Sequence, residues 1–437
     1  MSPGWPEAAL AAARAAPLVR PRGRVTAAAG WSLRAAMAGV RQGELVHVAR
    51  GGAPALPAEV VGFRAGEALL MPLDEPRGIE VDGPVTSTGA GLSVRVGPGL
   101  LGRVLDGLGR PVDGRAPPAG LVPWEVERAA PAPLGRRRAS AALPLGVRAL
   151  DGLCTVAEGQ RLGLFAGPGV GKSTLLAQIA RQTSAERCVL ALVGERGREV
   201  REFLEDALGP GGLARCAVVV ATSDAPPLVR LRAAHVATAV AEYFAEVEGR
   251  QVLLLLDSLT RFARAQREVG LSAGEPPARQ GYPPSVFAAL PRLLERAGAR
   301  ERGSITGIYT VLAPGGDLDD PVADEVRGLL DGHVILDRRV AERQRWPAFD
   351  ALASLSRLMP AVTTSAHRRA AARLRQVLAA YEGQRDLLLL GAYRRGSDPA
   401  TDEGIDRIGD IEAFLAQRPD EAAPFDETVA RLQALFP

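Results

Sequence analysis

Residues 161–182 read RLGLFAGPGVGKSTLLAQIARQ. An apolar β-type run passes into a glycine-rich loop and then directly into a helical pattern. This order constrains the fold more than any other feature of the chain, because it is the context in which a loop wraps a phosphate group. Gly167, Gly169 and Gly171 let the backbone curl so that successive N–H groups face phosphate oxygens. The helix that begins near Lys172 adds the positive end of its dipole. On this reading Gly167, Pro168, Gly169, Val170, Gly171, Lys172, Ser173 and Thr174 form a nucleotide-binding loop. Lys172 reaches the β- and γ-phosphates, and Ser173 is a ligand of Mg²⁺. Position 166 is Ala where the strictest pattern has its first Gly, a conservative change on the strand side.

Composition sharpens this assignment. The chain has 53 Lys plus Arg, and Lys172 is its only lysine. Elsewhere arginine serves wherever either cation would, a coding bias that accounts for the surface. At position 172 the bias did not prevail. Arginine presents a wide planar fork, whereas the loop offers a narrow hole closed by its own N–H groups, which a compact ammonium on a flexible stem fits.

The same strand rhythm continues around the loop. The runs RLGLFA, CVLALV, CAVVVA, QVLLLLD, SITGIYTVL and GHVILD alternate with helical patterns between about 145 and 360. Continuous β-rich runs separated by helices predict a parallel sheet buried on both faces. Before them, residues 22–95 carry short strands punctuated by Gly and Pro, the pattern of a small β-barrel. GPGLLGRVLDGLGRPVDG then leads into a Pro-rich stretch through Pro133 that reads as a connector. Beyond Thr363 three helical runs follow, at 366–393, 405–417 and 425–436. The predicted division is an N-terminal segment 1–21, a barrel 22–95, an α/β nucleotide-binding domain 96–362 and a helical domain 363–437.

Several function classes find little support. The net charge is only +3, and the dense basic runs are confined to RRR at 136–138 and HRRAAARLR from His367, so no strong nucleic-acid footprint emerges. Cys154, Cys188 and Cys216 are far apart without CxxC spacing and fit a reduced cytoplasm, and four scattered histidines argue against a His/Cys metal site. No apolar stretch approaches the roughly 18 residues of a spanning helix. The opening EAALAAARAAPLVRPRGR lacks the hydrophobic core of a secretory signal; it reads as a frayed alanine-rich terminus or a short amphipathic helix touching a membrane or partner.

Further site residues lie at the ends of predicted strands. Asp257 ends QVLLLLD, where a carboxylate can hold a Mg²⁺-bound water; a helix N-cap is the plainer role. Glu195 in VGERGREV sits where a carboxylate can polarise a water attacking the γ-phosphate, with Arg196 beside it to orient it or balance its charge. An exposed ion-pair cluster is the alternative, and the strand-end position favours catalysis. Trp346 either stacks on adenine or packs in the core. Arg357 is either a surface charge or a finger neutralising charge in the transition state; spacing alone leaves both open.

Together these segments resemble the flagellar and type III secretion export ATPases, relatives of the catalytic subunit of rotary ATP synthases. The resemblance spans about residues 22–435 and is carried by LLGRVLDGLGRPVDG, GPGVGKSTLL, VGERGREVREF, DSLTRFARAQREVGLSAGEPPARQGYPPSVFAALPRLLERAG, GSITGIYTVL, DDPVADEVRGLLDGHVILDRR and WPAFDALASLSR. It implies an N-terminal β-barrel, a RecA-like P-loop ATPase core and a helical C-terminal domain, assembled as a homohexamer. It also implies roles: Lys172 and Ser173 on phosphates and Mg²⁺, Glu195 on the attacking water with Arg196 in support, and Asp257 as the Walker-B carboxylate. Arg357 is then the finger offered to the neighbouring subunit's ATP, and Trp346 packs beside the base where the family usually has Tyr. Two segments, VVVATSDAPPLVRLRAAHVATAVAEYF and REVGLSAGEPPARQGYPPSVF, look more like injectisome than flagellar members. The implied setting is cytoplasmic, peripheral at the inner face of the bacterial cell membrane beneath the export gate. The implied partners are chaperone-bound substrates, a central stalk protein and a stator or regulator protein.

Rival readings are weighed on the same residues. A flagellar export ATPase is the nearest alternative. The GEPPARQGYPPSVF segment and the short helical C-terminus disfavour an ATP synthase catalytic subunit. A Rho-type RNA translocase would present barrel aromatics for base stacking, and residues 22–95 hold only Trp31 and Phe63. A non-catalytic ring subunit could dispense with Glu195.

Overall fold

The computed structural model describes residues 20–313 and 320–436. The possible amphipathic helix of the first residues lies outside the described residues. No helix among the described residues is long and apolar enough to cross a membrane.

The first six strands are β1 (Arg22–Ala29), β2 (Ser32–Met37), β3 (Glu44–Arg50), β4 (Ala53–Arg64), β5 (Glu67–Pro72) and β6 (Pro84–Gly91). They form a closed antiparallel barrel in the order β1-β2-β5-β4-β3-β6, with β6 pairing back onto β1. Alternation explains the closure: Leu33 and Ala35, or Val46 and Val48, point inward while Arg34 and His47 between them point out. Closing the sheet on itself leaves no unpaired edge. Glu59 on β4 is also buried, and it meets Arg232 of the helix Pro227–Glu246, Nε to Oε2 at 2.8 Å. An ion pair therefore ties the barrel to the rest of the chain.

Two short strands, β7 (Ser93–Val96) and β9 (Val122–Glu125), pair with one another. Between them β8 (Arg103–Asp106) does something the sequence reading did not anticipate. Rather than leading into a connector, it runs parallel to the edge of the central sheet. A tight turn behind it is pinned by Asp106, whose Oδ1 accepts from the N–H groups of Leu108 and Arg110 at 2.9 Å each. Asp113 completes it by pairing with Arg103 at 2.6 Å. Four residues bounded by glycines carry too little periodicity to announce a strand; the open edge of the sheet makes it one.

The central sheet comprises β10 (Arg161–Ala166), β11 (Arg187–Glu195), β12 (Cys216–Thr222), β13 (Gln251–Asp257), β14 (Gly298–Ala299), β15 (Ser304–Leu312), β16 (Gly332–Leu336) and β17 (Leu355–Ser356), with β8 at one edge. All six predicted apolar runs are strands. Their order is β17-β16-β10-β15-β13-β11-β12-β8, parallel except at β17, while β14 pairs antiparallel with β15. Period two sorts each run between two cores. Val189, Ala191 and Val193 pack with the helices Pro227–Glu246 and Leu259–Ser272 on one face. Cys188, Leu190 and Leu192 pack with the helix Lys172–Gln182 on the other. Both faces are dry, so the runs are continuously apolar.

The C-terminal part holds helices Ser365–Gly383, Arg385–Leu389, Pro399–Leu415 and Phe425–Leu435. The first expected helical run is thus two helices, broken at Gln384, where ψ moves to 6°. Ile411, Phe414, Leu415 and Leu432 share one core with Leu150, Leu153 and the phosphate-loop helix. That shared core brings the C-terminal helices to the rim of the crevice described next.

Candidate functional site

In an open α/β sheet, ligands bind outside the carboxyl ends of the strands. Here β10, β11 and β13 end side by side or nearly so. The loop 167–171 leaves β10, Glu195 ends β11, and Asp257 ends β13. Gly169 and Gly171 have φ of 76° and 78°, and Gly171 is the residue from which the helix Lys172–Gln182 starts. A side chain at 171 would also meet Trp346, because a Cβ there falls 2.8 Å from ring atom Cζ3. Backbone freedom and a close aromatic neighbour both demand glycine at that position.

Glu195 owes its aim to a bulge. The β11–β12 register shifts between Val193 and Glu195, and Gly194 between them has φ 71°. An extra residue in a strand bends it and re-aims the following side chain. The Glu195 backbone carbonyl is held by the Ser223 N–H at 2.9 Å. Its carboxyl faces a cavity of about 470 Å³ lined by the loop, Lys172, Ser173, Arg261 and Arg264.

The charges in this cavity converge on Lys172. Its Nζ pairs with Asp257 Oδ1 and stands 3.7 Å from Glu195 Oε1. Asp257 is buried, and its Oδ1 also accepts from the Thr310 hydroxyl at 2.7 Å. Glu195 Oε2 accepts from Arg261 Nη2 at 2.9 Å, whereas its Oε1 accepts no hydrogen bond among the described residues. Burial, and then repulsion from Asp257, raise the Glu195 carboxyl above the usual carboxylate range; Lys172 and Arg261 oppose that rise.

On the other side of the loop lies a cleft of about 590 Å³. Trp346, Thr174 and Gln178 form one part of its wall, and Ala416 to Pro419 form another. The Gln417 N–H donates to the Trp346 carbonyl at 2.8 Å. Arg148 Nη1 holds the Ala416 carbonyl at 2.7 Å, and Arg181 Nη2 holds that of Pro419 at 2.9 Å. Trp346 is therefore neither wholly core nor wholly free: its ring rests on the phosphate loop and borders the cleft.

Two predicted residues are not brought to this place. Arg196 is exposed, and its guanidinium pairs with Glu199 at 3.4 Å rather than with Glu195. Arg196 caps the helix Gly197–Glu202 from an extended backbone, which turns its side chain to solvent. Arg357 lies at the far end of the sheet. Its N–H bonds to the Asp331 carbonyl at 3.0 Å, just before the start of β16, while the phosphate loop leaves beside Leu336 at the end of β16. The intervening strand is about 13 Å long at roughly 3.3 Å per residue. Arg357 is exposed and stands clear of its own chain's Lys172.

Sequence reasoning missed Arg261, Thr310, Gly194 and the wall at 416–419. Arg261 had a legible signal, since it follows Asp257 by four residues in the first turn of a helix whose cap, Ser258, accepts from the Arg261 N–H at 3.3 Å. The wall had none, because tertiary packing alone delivers it.

The residues fit a Mg²⁺–nucleotide. Ser173, Asp257 and Glu195 border one cavity, the loop N–H groups and Lys172 supply positive charge, and an aromatic slot lies beyond.

Known proteins carry the same arrangement of parts. The ATP synthase alpha/beta family, nucleotide-binding domain, matches residues 146–356, and the T3SS EscN ATPase C-terminal domain matches residues 363–434. The flagellum-specific ATP synthase of Bacillus subtilis (strain 168) is 51% identical over 380 residues, covering 87% of this chain and 86% of its own. The type 3 secretion system ATPase of Xanthomonas euvesicatoria is 51% identical over 414 residues, covering 94% and 93%. Among solved structures, the assembled ATPase EscN of the enteropathogenic E. coli type III secretion system superposes with a TM-score of 0.88 at 42% identity, over 94% of this chain and 99% of that one. In complex with its central stalk EscO the same ATPase superposes with a TM-score of 0.87.

Proposed function

The chain belongs to the type 3 secretion and flagellar export ATPases, built on the nucleotide-binding domain of the ATP synthase alpha/beta family, and from that membership we propose the following division of labour for ATP hydrolysis. The observation that carries it is the convergence of Lys172, Glu195 and Asp257 at the ends of adjacent strands beside a glycine loop.

Residues 167–174 bind the triphosphate through backbone N–H groups, and Trp346 stacks on the base. Lys172 turns from the two carboxylates to the β- and γ-phosphate oxygens. Ser173 and Asp257 would hold Mg²⁺, Asp257 through water, and the bound ion would supply charge neutralisation to the phosphates. Glu195 polarises a water whose oxygen attacks the γ-phosphorus while the bond to the β–γ bridging oxygen breaks, giving ADP, phosphate and a proton. Arg261 holds Glu195 Oε2 so that Oε1 is left for the water. Arg196, turned to solvent here, acts on Glu195 only if the helix start at Gly197 rearranges. Arg357 completes the site of the next subunit in a homohexamer, a role suited to a residue so far from its own phosphate loop.

The ring acts cytoplasmically, peripheral to the inner face of the cell membrane, where hydrolysis releases chaperones from export substrates and unfolds them at the export gate. A central stalk protein and a stator or regulator protein are its further partners. An injectisome role is preferred to a flagellar one, supported by the segments VVVATSDAPPLVRLRAAHVATAVAEYF and REVGLSAGEPPARQGYPPSVF and by the match of residues 363–434 to the T3SS EscN ATPase C-terminal domain. Steady-state phosphate release with and without Mg²⁺ tests the reading. Turnover should require Mg²⁺ and rise per protomer with protein concentration; tight ATP binding without turnover would leave a non-hydrolysing ring subunit instead.

A further inference from the structure

The two basic runs of the sequence separate by what their arginines touch. In the first, Arg136 donates to the Ala297 carbonyl at 2.8 Å and Arg137 to that of Gly303 at 3.2 Å, clamping the connector to the sheet. In the second, Arg368 donates to the Pro360 carbonyl at 3.0 Å and Arg375 to that of Leu153 at 2.9 Å. These four serve the fold. Arg369 and Arg373, one helical turn apart, donate to no backbone carbonyl among the described residues: both are exposed on the helix Ser365–Gly383 and line a groove of about 780 Å³.

The groove has a definite chemistry. Its facing wall is Glu403 and Arg407 of the helix Pro399–Leu415, and Phe436 closes one end. Glu403 pairs with Arg373 and, at 3.6 Å, with Arg407. The Arg407 guanidinium lies 5.4 Å from the Phe436 ring centroid. Among the described residues Arg369 is in no ion pair. Small side chains such as Ala370 form the floor, so a helix can come close.

We propose that this groove docks an acidic amphipathic helix of a protein partner, with carboxylates on Arg369, Arg373 and Arg407 and apolar side chains over Ala370 and Phe436. Three arginines against one glutamate leave a positive surplus that is complementary to such a segment. Glu403 already displays the carboxylate geometry these guanidiniums accept, and an apolar floor rimmed by charge is the helix-in-groove arrangement. A nucleic acid is disfavoured, because it needs many uncompensated cations along its backbone, and Glu403 leaves few here. The proposal rests on reading the chain as part of an assembly with protein partners, but not on its nucleotide chemistry; ATP turnover in the same samples separates the two.

The test titrates the full-length protein with a fluorescein-labelled peptide of about 16 residues, long enough to form a helix on binding, with glutamates on one face and leucines on the other. A lysine-for-glutamate peptide and a single-stranded oligonucleotide serve as the opposing probes. The acidic peptide should bind saturably, and Arg369→Glu should weaken it about tenfold, with Arg373→Glu adding to the loss. Turnover and melting temperature of Arg369→Glu should match the wild type. No saturation by the acidic peptide, equal binding of the lysine peptide, an unchanged affinity in Arg369→Glu, or displacement by the oligonucleotide at lower concentration each overturns the proposal.

Discussion

Arg261 holds one oxygen of Glu195 and leaves the other without a hydrogen bond: Nη2 meets Oε2 at 2.9 Å, while Oε1, buried and 3.7 Å from Lys172 Nζ, accepts none among the described residues. A carboxylate so divided is oriented by one oxygen and reactive through the other. Burial and Asp257 raise its protonation range, and Arg261 opposes them. A general base works only when ionised, so a raised range moves the acidic limb of the pH–rate profile upward, with activity gained as pH rises. Arg261→Gln should push that limb to still higher pH, and Glu195→Gln should cut kcat by about 10²–10⁴-fold and abolish the limb. Measuring kcat against pH for both variants checks this; an unshifted limb in Arg261→Gln would count against the orienting role.

Lys172→Arg should be nearly as damaging as Lys172→Ala. The ammonium sits between Asp257 and Glu195, and it must leave them to reach phosphate. A guanidinium in its place pairs with carboxylates through a rigid fork and stays there. Phosphate release by the two variants decides the point, and substantial turnover by the arginine form would refute it.

Trp346 should report nucleotide. Its ring lies on Gly171 and borders the cleft, so a stacked base changes its surroundings directly. In a background lacking Trp5, Trp31 and Trp124, ATP should alter the fluorescence. Trp346→Ala should raise KM about tenfold with kcat nearly unchanged, as expected for a stacking contact of about 1–3 kcal/mol. A silent fluorophore and an unchanged KM would remove the base from this slot.

The barrel's attachment makes a separate prediction. Arg232 and Glu59 are both buried, and burial raises the Glu59 carboxyl while Arg232 opposes it. Arg232→Leu should destabilise the protein by about 3–5 kcal/mol at neutral pH, because an uncompensated carboxylate stays inside. Without Arg232 the folded-state range rises further, so the carboxyl is more easily protonated folded than unfolded. The stability deficit should therefore shrink as pH falls and grow as it rises. Chemical denaturation at pH 5 and pH 7 measures it, and adding Glu59→Leu should restore most of the loss.

How much of this was legible in the chain depended on whether the determinant was local. The runs from RLGLFA to GHVILD declare strands because both faces of the sheet are dry, and GPGVGKST declares its loop because glycine and lysine are chemically required there. Asp257 and Glu195 were legible as strand ends. β8 was not, since four residues become a strand only when the edge of β12 is present to receive them. Nothing in VGERGREV marks Gly194 as the bulge that aims Glu195. The break at Gln384 had a local signal in Gly383 and the polar stretch EGQRD, although the apolar runs on both sides of it read as one helix. The wall at 416–419 sits some 245 residues from the loop it serves, beyond the reach of any pattern.

Arg357 yields the sharpest test of assembly, because its place in the fold makes a role in its own chain's site hard to sustain. The residue follows β17, which pairs with Gly332 and His333 at the start of β16, opposite the crevice edge. Arg357→Ala should lose on the order of 10³–10⁵ in turnover with ATP binding intact. Lys172→Ala should be inactive for a different reason, lacking the phosphate contact. Mixing the two inactive proteins separates the possibilities. In a mixed ring, an Arg357→Ala protomer supplies an intact loop, and a Lys172→Ala neighbour supplies an intact arginine. With random assembly of equal amounts, about a quarter of the interfaces then carry both parts, as a head-to-tail ring requires. Recovery should appear after the subunits are exchanged and should vanish when Lys172→Ala and Arg357→Ala are placed in the same chain. A mixture as inactive as its components, despite demonstrated subunit exchange, would confine Arg357 to the surface it occupies in the single chain.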